Sequence, residues 1–269
     1  ETLKNSALQV PVKIIHTQNE KLISQIIRST NRQTPVPDEA FVSLGKFHKR
    51  LQDFYKIFSQ EAPHALYYER RSREFSGSEL IEKRRVINLH SQIRTFSAII
   101  LNEPHLPSTR NPSSILKSLS AKIFKENHNY TAYYVSSQLL FVFYQAKDNG
   151  DIDGKYEISR YWICWIARIL ALGCKANIET KLNSPEFNSD LTKFSRKLGD
   201  NLYVKELFCQ SAIIFEKVKN TQNRVDGHLP KNKDLIKSKD FKNDIMRFIQ
   251  EQPHAKNAAH SLSNNFPDK

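Results

Sequence analysis

Residues 157–173 read EISRYWICWIARILALG, and this run decides the fold class. From Glu157 to Leu172 the chain is apolar nearly all round, so a helix built here has no polar face to offer water. It is expected at the centre of a helical array, with Gly173 as its C-cap. The run is too short to span a bilayer and carries Arg168 inside it. Only 7 of the 269 residues are Gly, which argues against long sheets and Gly-rich phosphate loops.

The array extends in both directions. Residues 130–146 form an aromatic-rich helix that Asn149-Gly150 ends. Asn111-Pro112 opens another, with cap and first-turn proline in the preferred order, and buries Ile115, Leu116, Leu119, Ile123 and Phe124. Ser184-Pro185 starts a further helix, Asn201 to Lys219 forms the next, and residues 220–234 are polar and linker-like. A last weak helix over 239–251 precedes a polar tail expected to be disordered. Upstream, Leu44, Phe47, Leu51, Phe54 and Phe58 repeat at helical spacing as one seam, which Asp38 leads or caps. Leu66 to Arg71 reads as a short extended piece. Ser76 and Glu79 form a capping box for a helix with seam Val86, Leu89, Ile93, Phe96 and Ile100, closed by Pro104 and Pro107.

Near the start, Val10 to Ile15 alternates β-branched residues with Pro and Lys and predicts a strand, at an edge because of Pro11. Thr17 and Glu20 form another capping box, before a helix with Leu22, Ile23, Ile26 and Ile27 on its apolar face. The rest of that sheet would lie before residue 1. The expected fold is mainly α, with a short α/β fragment of one or two strands at the N-terminus followed by an array of helical hairpins. Residues 1–36 are read as the remnant of an α/β unit, 37–222 as a helical domain, and 223–269 as linker, weak helix and tail. The chain opens on Glu1 and its single Met is Met246, so it is expected to belong to a longer polypeptide.

The formal net charge is +13, with 41 basic against 28 acidic residues. That excess concerns partners rather than fold: phosphates would bind it in a salt-dependent way, or it is spread diffusely over the surface. Cys164, Cys174 and Cys209 have no metal-ligand spacing and sit among apolar residues, as buried free thiols would. No signal peptide is visible, and the chain is expected in the cytoplasm, away from membranes. Asn129-Tyr130-Thr131 matches the glycosylation pattern by chance.

No motif for nucleotide, metal or nucleophilic chemistry occurs, and no cofactor, metal site or catalytic residue is assigned. The nine histidines read as surface or cap residues. Asp151-Ile152-Asp153-Gly154 starts like a calcium loop but has Trp162 at the twelfth position, so it is a polar turn. Two features remain. One is the joint Thr30-Asn31-Arg32-Gln33-Thr34 before Pro35 and Pro37, whose amides and hydroxyls either cap a helix end or line a recognition pocket. The other is the stretch with Tyr68, Arg70 and Arg71, which either stacks on a base and pairs with phosphate or is a surface strand with snorkelling arginines.

The order VPVKII, a helix, IIRSTNRQTPVPDEAF, a seam helix and LYYERR resembles abortive-infection phage-resistance (AIPR) proteins, in their C-terminal domain, from about Val10 to Phe124. The resemblance implies phage defence in bacteria, near restriction–modification genes, with a nuclease-like domain upstream. An Asn-Gly-x-Gln-Thr segment that normally precedes the first strand is missing here. It further implies Asn31 and Gln33 as pocket-lining residues, aimed by Pro35 and Pro37 into a cleft shared with the upstream segment, and transfers no catalytic role.

Three readings follow: a non-catalytic recognition or regulatory domain that contacts nucleic acid, a helical protein-interaction or oligomerisation module, or an enzyme fragment completed by upstream residues. The partners implied are nucleic acid, the upstream segment and a second copy of the chain. Changing Asn31 and Gln33 together to Ala is expected to abolish ligand binding or phage resistance while stability holds. A loss of about 1 kcal/mol in denaturation alone would instead mark a helix cap.

Overall fold

A computed structural model of the chain describes residues 14–19, 22–23, 25–26, 45–71, 73–75, 77, 81–173, 182–222 and 228–251. Among them are ten α-helices and one two-stranded sheet. Helix α1 (Lys46–Glu61) leads to strand β1 (Tyr67–Glu69), and a connection over 70–85 returns to strand β2 (Val86–Asn88). The strands are parallel, with Tyr68 opposite Ile87 in register, and these two residues face the core. A parallel pair cannot be closed by a tight turn, which is why a long connection separates its strands.

Helix α2 (Leu89–Thr95) follows β2 directly, because the Asn88 side chain accepts the Ser91 N–H at 2.8 Å and turns strand into helix. Phe96–Ile100 then widens into a π-helical turn, with Leu101 N–H donating to the Phe96 carbonyl. Short helices α3 (Leu106–Thr109) and α4 (Pro112–Ser118) come next, and Asn111 caps α4 through Ser114 N–H as its sequence predicts. The long helices α5 (Tyr130–Asp148) and α6 (Arg160–Leu172) cross the centre. Helices α7 (Pro185–Lys197) and α8 (Asn201–Asn220) pack on them. Helix α9 (Asn232–Leu235) is short, and α10 (Lys239–Glu251) docks on α8 with Phe241, Ile245 and Ile249 buried.

The central position of α6 is as expected: Tyr161 to Leu170 are all buried, and Gly173 ends it at φ 77°. Arg168, only 2% exposed, is stabilised by the π turn beside it. Its Nε donates to the Ile99 carbonyl at 3.1 Å and its guanidinium also reaches Asn102 Oδ1, which accepts from Trp165 Nε1 at 3.0 Å. Helix α5 is equally enclosed, with every residue from Thr131 to Phe143 buried. It carries polar groups into the core. The Tyr55 hydroxyl donates to Gln92 Oε1 at 2.7 Å, with the Tyr133 carbonyl and Ser137 Oγ each at 3.2 Å, and Gln92 Nε2 donates to the same carbonyl at 3.1 Å. The α7–α8 turn closes against the corner after α1: a Cβ at Gly199 would come within 2.5 Å of Pro63, so only Gly fits.

Several expectations are corrected. Of the strand expected at 10–15, residues 10–13 lie outside the described residues, and Ile14 and Ile15 are exposed and join no strand. Among the described residues the sheet forms from Tyr67–Glu69, within the stretch read as extended, and Val86–Asn88, with Tyr68 and Ile87 on the buried face. Thr17 is not the cap. Its Oγ1 accepts the Asn19 N–H at 3.1 Å, and Asn19 Oδ1 in turn accepts Leu22 N–H at 3.3 Å; Glu20 and Ile27 lie outside the described residues. Leu22 and Ile23 are exposed and Ile26 half-buried. Val86 heads a strand rather than a helix, and Asp38, Leu44, Ser76 and Glu79 lie outside the described residues. The α1 seam turns by one position: His48 and Tyr55 are buried, while Phe54 and Phe58 are only partly so.

Cys164 is buried as expected, its thiol pushed up by burial, but Cys209 is exposed and Cys174 lies outside the described residues. Asp153 caps a polar turn through Lys155 N–H at 2.9 Å. Among the described residues no helix is long and apolar enough to cross a membrane. Tyr55→Phe is expected to lower the unfolding free energy by about 1–2 kcal/mol in urea denaturation, because a buried hydroxyl that spans three helices is lost.

Candidate functional site at the end of the parallel strands

Ligands of parallel sheets bind beyond the carboxyl ends of the strands. At that end of β1 the chain places Arg70, Arg71 and Arg73, and helix α1 lays His48 and Gln52 against the strand. His48 and Gln52 stand four apart, so one helical face presents both. His48 is 2% exposed, and its Nδ1 lies 2.7 Å from the Tyr68 hydroxyl. The two rings stack at 6.0 Å with 16° between their planes. Gln52 Nε2 donates to the Tyr68 carbonyl at 3.1 Å and to the Glu74 carboxylate at 3.0 and 2.9 Å. Glu74 Oε2 also accepts the backbone N–H groups of Arg70 and Arg71, at 3.2 and 3.3 Å, which pins the strand's end. Arg73 takes up φ 62°, the left-handed conformation that the turn back to Glu74 requires.

Burial, and after it the Arg70 charge, lowers the His48 pKa to about 4, so the ring is neutral near pH 7. Burial likewise raises Tyr68 above the usual phenol range, and Arg70 offsets part of that rise. Among the described residues six buried side-chain polar atoms have no hydrogen-bond partner, and two of them, His48 Nε2 and Arg70 Nε, belong to this cluster. Native interiors rarely leave such groups unpaired, so this pair is what marks the cluster as a candidate binding site.

The sequence-derived site residues fare differently. Thr30, Asn31, Gln33 and Thr34 lie outside the described residues. Tyr68 is buried between His48 and Tyr55, so its ring has no face to offer a base; strand alternation turns it into the core. Arg70 is half-buried beside it, and Arg71 is exposed. His48, Gln52 and Glu74 were not found from the sequence. The reading of His48 as a surface or cap residue is corrected by its burial, and the polar His48–Gln52 pair flanking an aromatic seam was the available signal. His64 and His128 are also partly buried with pKa values lowered to about 4, chiefly by burial. Among the described residues no group of three His, Cys, Asp or Glu side chains could hold a metal ion.

A histidine held near 4 when folded and at 6.5 when unfolded binds fewer protons in the native state across that window. Stability therefore rises with pH through it and is lost as pH falls from 6.5 towards 4. His48 alone is expected to remove about 3 kcal/mol between pH 7 and pH 4. Chemical denaturation at both pH values checks this, and His48→Gln should make the profile shallower, with the contributions of His64 and His128 left in place.

No curated protein and no solved structure matches the chain. The model of the AIPR protein family matches residues 1–181. That span takes in α1 to α6 and the whole cluster above, and exceeds on both sides the stretch that carries the resemblance. The chain belongs to the AIPR family, and with it to abortive-infection phage defence.

Proposed function

We propose that this chain is a non-catalytic recognition domain of a phage-defence protein, and that it contacts nucleic acid through the end of the parallel strands. Any cleavage step resides in an upstream domain. The observation that carries this reading is the grouping of Arg70, Arg71 and Arg73 where β1 ends, in a chain of net charge +13. Arg71 and Arg73 are exposed, as phosphate-contacting side chains must be, while Glu74 engages the backbone N–H groups of Arg70 and Arg71. Guanidinium groups pair with phosphate oxygens in two-pronged fashion, and their affinity falls with salt because bound counterions are released.

A second reading, a protein-interaction or oligomerisation module, is favoured by α8. Leu202 is 64% and Ile213 41% exposed there, and Ile213 lines a groove of about 410 Å³ with Tyr156 and Cys209. Binding to labelled single-stranded and duplex DNA from 50 to 200 mM salt separates the two. Affinity is expected to fall log-linearly with salt, and Arg71→Ala should reduce the slope by about one. A flat response, or no binding, moves the function to α8.

A further inference from the structure

We propose that His48 Nε2–H and Arg70 Nε–H form a two-donor subsite for one singly charged oxyanion, the phosphodiester group of a nucleic-acid backbone. The Tyr68 hydroxyl is buried, and His48 Nδ1 is the acceptor within its reach. If Nδ1 carried the proton, the hydroxyl hydrogen would be buried with no acceptor, at a cost of about 1–3 kcal/mol. Tyr68 therefore donates, and the proton of the neutral imidazole sits on Nε2. That N–H and the Arg70 Nε–H are then buried donors lacking acceptors.

The pair belongs to one place. Tyr68 and Arg70 are two residues apart along the β1 direction, His48 stacks on Tyr68, and the Arg70 charge reaches His48. What is missing is an acceptor. The formal charge supplied is a single one, from Arg70, since His48 is neutral and the Glu74 carboxylate is occupied by Gln52 and by two backbone N–H groups. One positive charge and two donors match a group with one negative charge spread over two oxygens. A phosphodiester and a carboxylate both qualify. The exposed Arg71 and Arg73 alongside favour the polyanion. Arg70 as a residue is half-buried, although its Nε, like His48 Nε2, is enclosed. The source of the phosphate rests on the nucleic-acid reading above; the donor arrangement does not.

The test is NMR of the histidine ring nitrogens in the full chain, with the His48 signal identified by its loss in His48→Gln. Dimethyl phosphate and a short oligonucleotide are both expected to shift the His48 Nε2 signal, with doubly charged inorganic phosphate and acetate shifting it less. Arg70→Gln should abolish the shift and weaken the oligonucleotide about tenfold, the loss typical of a hydrogen bond to a charged group. Arg70→Lys, which keeps the charge but removes the Nε–H, should abolish the shift too. Arg71→Gln should preserve it. An oligonucleotide that binds while His48 stays unmoved and Arg70→Gln has no effect overturns the subsite and leaves the nucleic-acid reading standing. A shift with acetate and none with dimethyl phosphate overturns it in favour of a protein carboxylate. A shift with dimethyl phosphate but no oligonucleotide binding supports the subsite and removes the nucleic-acid reading.

Discussion

The hydroxyl of Tyr55 is the constraint on which the site-bearing half of the molecule depends. It donates to Gln92 at 2.7 Å and lies within reach of the Tyr133 carbonyl and Ser137, so one buried group ties α1, α2 and α5 together. Gln92 and Thr95 extend the contact to Ser136 and Ser137. In an interior of low dielectric each such bond is strong once made and costly when broken, so the network admits one arrangement of the three helices and penalises others. Apolar packing alone is less selective, because a helix can rotate a little and remain buried.

That arrangement places the candidate site. His48 and Gln52 ride on α1, two and one turns before Tyr55, and cannot shift along β1 while the hydroxyl is held. On the other side, β2 runs straight into α2, whose Gln92 belongs to the same network. The sheet and the helix that face each other across Tyr68 are thus anchored in one place. Helix α6 adds a separate lock: the π turn at 96–100 frees the Ile99 carbonyl to accept from buried Arg168. Helices α7 to α10 lie beyond the stretch matched by the family, yet α7 packs on α5 and α8 on α6, covering faces that would otherwise be apolar and open.

The two unpaired donors gain weight in that setting. Beside three helices held by satisfied hydrogen bonds lie two of the six buried side-chain atoms without a partner among the described residues, His48 Nε2 and Arg70 Nε. Holding such donors rigidly suits recognition, since a ligand that meets them bears little ordering cost in the protein.

The sequence by itself determined the helical class, the central place of the helix read over 157–172 and found over 160–172, and the caps at Asn111 and Ser184, because apolar periodicity and capping chemistry are local. It also determined the family. It located one strand of the sheet, in the extended piece Leu66 to Arg71, but not its partner Val86–Asn88, because pairing depends on which segment finds a neighbour and a buried face. Nor did it distinguish an aromatic ring offered to a base from one folded into the core, since Tyr68 reads the same either way. The burial of His48 and the meeting of its ring with Tyr68, twenty residues later, were decided by tertiary structure alone. Burial is a property of what packs against a side chain, and for a polar residue no local pattern announces it.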